Sequence, residues 1–367
     1  MTALELCLNG FRNYDETLAA FSEGVNVIIG ANAQGKTNML EALYYLAVGR
    51  SFRTHRDQEL IGIGRDSAKI ACNVFMDGRS HLLEAELFNG RRRILTANGV
   101  RLKSGAELAG RLTAVLFSPD DLYLIRDGAA VRRRLIDLCL CQLRPRYAAA
   151  LSEFTRLLNH KTRILKDHFE KPSLLETLDD FNRRICEVGA ELIYRRAHFS
   201  RLLSEKAENI HRAFSGSAET LEIRYHTVKT IDDPLRKPAE LLPMLLEHQR
   251  THREAELRSG MNLSGAHKDD LEILIDGLPA RQFASQGQAR TAALSIKLAE
   301  REIHYSDRGE YPILLLDDVL SELDASRQDF ILNHIQEGQV FITCCEDAQI
   351  AARTGGKLLQ VSEGRLI

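Results

Sequence analysis

GVNVIIGANAQGKTNMLEALYYL, residues 24–46, holds the pattern that decides the fold. Val25-Asn26-Val27-Ile28-Ile29 is an apolar run of strand length. From Thr37 onward Met39, Leu40, Leu43, Tyr44 and Ala47 recur at helical spacing, and Gly49 supplies a stop. Between the two lies Gly30-Ala31-Asn32-Ala33-Gln34-Gly35-Lys36-Thr37, a glycine-bounded turn from strand into helix, which is the setting a P-loop requires. Glycine at Gly30 and Gly35 lets the backbone curl until its amides converge on phosphate oxygens, and the helix N-terminus adds its positive end. Lys36 is placed to reach β- and γ-phosphates, and the Thr37 hydroxyl to ligate Mg²⁺.

Such a loop needs a second metal-side carboxylate. Ile313-Leu314-Leu315-Leu316-Asp317-Asp318 is a run fit for a central parallel strand and ends in two acids. Asp317 is expected to hold Mg²⁺ through its water shell, and Asp318 to polarise the attacking water as a general base. Before the helix that leads into this strand stands Ser285-Gln286-Gly287-Gln288. Small residues at a helix start can make a second phosphate surface, although a plain helix cap with a glycine turn is the better reading of these four residues taken alone.

Outward from these motifs, the 367 residues allow two or three folding units. The net charge of −2 is uneven. Ten bases face six acids over residues 121–170, whereas six bases face twelve acids over 301–367, so a polyanionic partner is permitted in the middle of the chain. The seven cysteines show no metal-binding spacing, and free thiols point to a reducing cytoplasm. No membrane-length apolar stretch and no signal-like start is present. Residues 1–30 read as strand, polar turn and strand, and Gln339–Thr343 reads as a last strand. Asp77-Gly78, Asn89-Gly90 and Asn98-Gly99 punctuate residues 68–102 as an antiparallel meander. Long helical periodicities then run from about Asp121 to Ser259, with Ile231–Pro238 as their one turn-rich break. The expected architecture is α/β: an ATPase lobe from 1–120 and 261–367, split by an inserted helical lobe at 121–260.

The order of the P-loop, SQGQ, LLLDD and SELD resembles the ABC-type ATPase heads of structural-maintenance-of-chromosomes proteins and DNA-repair ATPases. Phe11-Arg12-Asn13-Tyr14, GRSFRT from Gly49, FSPDDL from Phe117, GAHKDDL from Gly265 and RRRLID from Arg132 are similar to the pattern of one branch, the bacterial RecF family. That resemblance implies ATP and Mg²⁺ as ligands, with Gly30 to Thr37 as Walker A and Asp317-Asp318 as Walker B. It implies Ser285 to Gln288 as a signature motif covering the ATP of a second copy, and Ser321-Glu322-Leu323-Asp324 as a D-loop at the dimer interface. Arg12, and with it Arg53, is implied to reach nucleotide phosphates. Thr343 stands where a switch histidine is usual, Asp318 where many relatives carry Glu, and Asp120 is the candidate for the missing Gln-loop. GAHKDD carries Ala and Lys where the pattern has Pro and Arg, and Phe52 replaces a His.

The function so implied is a slow, DNA-stimulated ATPase of recombinational repair: an ATP-dependent homodimer clamping DNA at gaps or junctions and acting with RecR to load RecA. Arg91, Arg92, Arg93, Arg101, Lys103 and Arg132 to Arg134 are the candidate phosphate contacts. Two rivals are a transporter ATPase module, which the FRNY start and Thr343 oppose, and an ATP-gated scaffold indifferent to DNA.

Overall fold

Alternation in the opening residues becomes strand β1 (Thr2–Phe11), which reverses at Arg12-Asn13 into β2 (Tyr14–Ala20). The polar segment expected as a turn is therefore mostly strand. Arg12 takes a φ of 53°, so two residues suffice for the reversal, and Tyr14, Thr17 and Ala19 are buried beyond it. Buried β3 (Val25–Ile29) leads through the glycine loop into α1 (Lys36–Val48), which Gly49 ends in the left-handed conformation at φ 75°. In the computed structural model all residues but 346 and 347 are described, and the side chains of Ala106, Glu322, Ala348 and Gln349 also lie outside the description.

The meander follows. Strands β4 (Ser67–Met76) and β5 (Arg79–Phe88) turn at Asp77-Gly78, and β6 (Ile94–Ala97) and β7 (Val100–Arg101) turn at Asn98-Gly99. All four turn residues have positive φ, which is why Asx-Gly pairs stand there. With β1 and β2 they form an antiparallel sheet ordered β2-β1-β4-β5-β6-β7. Strand β8 (Ala114–Phe117) is buried throughout.

One compact unit comprises Met1–Leu122 with Leu294–Ile367, and a second comprises Tyr123–Ala293. The second is built on α2 (Ala129–Leu143), α3 (Pro145–Asp167), α4 (Leu178–Phe214) and α5 (Pro238–Ser259). The break between α4 and α5 is wider than expected and contains β9 (Leu221–His226). This strand pairs antiparallel with β10 (Asp270–Ile275), which pairs in turn with β11 (Leu278–Pro279). Those pairings move the expected boundary from 260 to 293, because the strand of residues 270–275 has its partner in the helical unit.

The basic and acidic motifs of this unit are its internal frame. Arg196, 2% exposed, donates to Asp137 at 2.9 and 3.0 Å, to Asp269 at 2.7 Å and to the Ala266 carbonyl at 2.6 Å. Asp269 also accepts from Tyr225 and Thr227. Arg132 grips Asp270 through two bonds of 2.8 and 2.9 Å, and Arg133 donates to the Asp269 carbonyl. Arg132 is only 5% exposed, so it is a structural residue and not a DNA contact. A buried charge of this kind must be fully partnered, and here it is.

Helix α6 (Gln286–Arg308) leads into β12 (Ile313–Asp317), α7 (Ala325–His334), β13 (Val340–Cys344), β14 (Lys357–Ser362) and β15 (Arg365–Leu366). The second large sheet is ordered β15-β14-β3-β13-β12-β8, parallel except for β15. Strand β13 is thus followed by one further parallel strand, β14, whose short KLLQVS run carries no periodicity of its own. Fully buried Leu6, Ile28, Leu40, Leu43, Leu315 and Phe341 join both sheets and α1 in one core. Each such side chain contributes about 1.5–3 kcal/mol. Because β13 lies between β3 and β12, the loops leaving all three open at the same carboxyl edge, where α/β sheets bind ligands.

Candidate functional site

The glycine loop has the backbone its sequence promised. Gly30 sits at φ 156° and Gly35 at φ 120°, and Ala33 is left-handed at φ 64°. A Cβ on Gly30 would come within 2.3 Å of the Val361 carbonyl oxygen, and one on Gly35 within 2.9 Å of the Asn13 amide oxygen. Both positions therefore demand glycine. Gly35 caps α1 without a side-chain bond, so no capping group competes with an anion for the first-turn amides.

Lys36 is 7% exposed and folds back onto the loop, donating to the carbonyls of Gly30 at 2.5 Å and Ala31 at 2.9 Å. Thr37 donates its hydroxyl to Asp317 Oδ1 at 2.8 Å, and Thr343 donates to the same oxygen at 3.0 Å. The Asp318 amide donates to Thr343 Oγ1 at 2.9 Å. Burial pushes the Asp317 carboxyl up, while the two hydroxyls oppose the shift. Asp318 is left-handed at φ 53°, and its carboxylate accepts from Ser321 at 3.0 Å. Thr37, Asp317 and Thr343, drawn from α1, β12 and β13, thus meet beside the loop. Two hydroxyls around a carboxylate form a hard oxygen donor set, which suits a magnesium ion.

Around this centre stands a second ring, built on Glu41, an acid that the motifs did not disclose. Glu41, fully buried on α1, holds Arg12 through two bonds of 2.8 Å, accepts from Ser51, and lies 3.7 Å from Arg53. Arg53 also donates to Asn38 at 2.8 Å. Asn13 donates to the Gln34 carbonyl, and Tyr14 to that of Gly35. The FRNY turn therefore braces the loop from below. Arg12, Asn38, Arg53, Ile61, Ile63 and Arg65 line a cavity of about 560 Å³ beside it, in which Ile63 is wholly exposed. Gln34 is tied to the last hairpin through the amides of Glu363 and Gly364. Cys345 bonds Asn32 Oδ1 at 2.9 Å and lies 3.8 Å from Lys36 Nζ. Only its place just after Thr343 hinted at that role.

The remaining expected residues are placed differently. Asp324 caps α7, accepting from the Arg327 amide at 2.9 Å and pairing with its guanidinium, and it faces solvent. Asp120 is exposed, and the neighbouring Asp121 is the acid turned inward, its carboxyl pushed up to about 6 by burial with Lys297 opposing. Ser285 and Gln288 form a reciprocal capping box at the start of α6, with bonds of 2.9 and 3.2 Å, and Gln288 also donates to Glu219. Gln286 beside them is exposed and Gly287 half-buried. They belong to the second unit, whereas Gly30 to Thr37 belong to the first.

Fold and site together define an ABC-type P-loop ATPase head. The family model described as RecF/RecN/SMC N terminal domain matches residues 3–364. The chain is 37% identical to the DNA replication and repair protein RecF of Acetivibrio thermocellus, over 97% of this chain and 96% of the relative. To RecF of Symbiobacterium thermophilum it is 39% identical, over 99% and 97%. A solved structure of the recombination mediator protein RecF-ATP in the RecFOR pathway superposes with a TM-score of 0.93 at 31% identity, covering all of this chain and 96% of that one. The chain belongs to the RecF family of DNA replication and repair proteins.

Proposed function

We propose that this chain is an ATP-dependent DNA-binding protein of recombinational repair, whose two copies close around two ATP molecules and hold DNA. The observation that carries the reading is the meeting of Thr37, Asp317 and Thr343 beside a loop whose first-turn amides have no side-chain cap. The solved RecF-ATP relative supports ATP as the nucleotide. The loop amides, Lys36, Arg12 and Arg53 would hold its phosphates, and Thr37 and Asp317 would hold Mg²⁺. Magnesium, when bound, supplies charge neutralisation for the phosphates.

Asp318, next in the chain to the metal-side acid, takes the proton of the attacking water. One methylene shorter than glutamate, it would reach that water less well, so turnover is expected to be slow. Thr343 links the Asp317 carboxylate to the Asp318 backbone amide through one hydroxyl and is the sensor of the phosphate. Ser285 to Gln288, at a helix start where Ser285 and Gln286 are exposed, serve the nucleotide of the second copy, and Asp324 lies at the same interface. DNA at gaps or junctions, RecR and RecA are the partners the family membership points to, and the cytoplasm is the compartment. Among the described residues no helix is long and apolar enough to cross a membrane.

Light scattering of the purified chain tests the proposal, first without and then with Mg-ATP, and finally with gapped duplex. Doubling of mass with ATP, followed by retention of DNA, is expected. An unchanged mass would remove the two-copy mechanism.

A further inference from the structure

The antiparallel sheet carries a second cavity, about 750 Å³ in volume, beside the β5–β6 connection. Arg56, Arg91, Arg92, Arg93 and Lys103 line it against a single carboxylate, Asp57. That acid is already answered, because Arg93 lies 3.1 Å from it and is itself anchored on the Tyr45 hydroxyl at 2.6 Å. The other four cations are exposed, and among the described residues none of them has an ion-pair partner. Elsewhere in the same unit Lys69 lies 2.8 Å from Glu84, and Arg65 lies 2.7 Å from Asp15. Arg91 is held before any ligand arrives, its guanidinium 3.6 Å above the centre of the Phe88 ring.

We propose that this cleft grips the sugar-phosphate backbone of DNA. The proposal rests on the DNA-binding reading above and names the surface that performs it. Four unmatched cations around one cavity repel one another, and a polyanion relieves that repulsion while releasing its own counterions. Guanidinium forks match phosphate oxygens two at a time. The lining also argues against a protein partner. Its aliphatic members, Leu95 and Leu102, are 3% and 9% exposed, and Phe88 is covered by Arg91. No apolar anchor is on offer, whereas protein interfaces depend on such anchors and backbone contacts to DNA do not.

The test is the triple variant Arg91→Ala, Arg92→Ala, Lys103→Ala in the full chain, with Arg93 left in place. Anisotropy of a labelled gapped duplex is followed with Mg-ATP across a salt series. The slope of log K against log salt should become shallower by about 2.7, or about 0.9 for each lost phosphate contact. Nucleotide binding should be unchanged. A second triple, Lys166→Ala, Lys171→Ala, Arg258→Ala, removes the same charge from exposed positions elsewhere and should leave the slope near its original value. An unaltered slope in the first triple, or an equal change in the second, overturns the cleft while DNA binding itself stands. Failure of the unmodified chain to bind DNA overturns both readings. Loss of polyglutamate binding in the first triple with DNA binding intact would assign the cleft to an acidic protein and overturn the proposal.

Discussion

Lys36→Met separates the loop's ligand from the loop's fold. The ammonium is 7% exposed, yet its near oxygen partners are two carbonyls, those of Gly30 and Ala31. Removing it forfeits two charge-assisted bonds but also relieves the desolvation of a buried cation, terms of similar size and opposite sign. Gly30 and Ala31 are themselves partly or wholly exposed, so their carbonyls regain water. The variant without ligand should therefore lie within about 1 kcal/mol of the original, or about 2–4 °C in melting temperature. Ligand binding is another matter. At a hundredfold excess over Kd, Mg-ATP stabilises its host by about 2.7 kcal/mol. For a unit made of segments of 122 and 74 residues, that corresponds to about 5–11 °C. Thermal unfolding with and without Mg-ATP should show this rise in the original chain and none in Lys36→Met. An equal rise in both would refute the assignment of Lys36 to the phosphates. A large drop without ligand would show that the cation props the loop.

Asp318→Asn should keep nucleotide binding and lower the single-turnover hydrolysis rate about 10²–10⁴-fold, as loss of a general base does; quenched-flow kinetics with radiolabelled ATP would decide it. Ser285→Arg should bind ATP normally but remain monomeric in light scattering, and a normal mass doubling would sink the trans-acting role of the signature. Asp269→Asn leaves buried Arg196 short of one anion and should cost the helical unit about 3–5 kcal/mol in chemical denaturation. Burial holds His267 down to about 4 and His304 to about 3. Below about pH 6.5 the unfolded chain gains protons there that the folded chain refuses, so stability declines as pH falls toward those values. His267 accounts for about 3 kcal/mol of this, and His267→Gln should flatten the acid side of a melting-temperature profile. An unchanged profile would count against a buried neutral ring.

Much of the candidate nucleotide site was legible because its requirements are local. Directly after a buried strand, a loop with two glycines, a lysine and a threonine occupies eight consecutive positions from Gly30, and a buried strand ending in two acids is equally self-announcing. Hairpin glycines and the α1 stop were readable for the same reason: positive φ is a property of one residue. Charge was not so readable. Arg132 and Arg93 look alike along the chain, but one is sealed against Asp270 and the other floors an open cleft.

What the sequence by itself determined was the chemistry on offer: a phosphate-binding loop, two acids, a helix start with small polar residues, and an α/β frame to carry them. Only the tertiary structure decided how that chemistry is assembled. Placing β13 between β3 and β12 brings Thr343 to Asp317 across 26 residues and Thr37 to it across 280. Glu41 earned no notice as one helical acid among many, until the fold buried it beneath Arg12, Ser51 and Arg53. Strands β9 and β14 were missed because a six-residue strand is defined by its partner, and the partner lies far along the chain. Periodicity records which face a residue turns to the core, whereas pairing across long separations is settled by the packing of the whole unit.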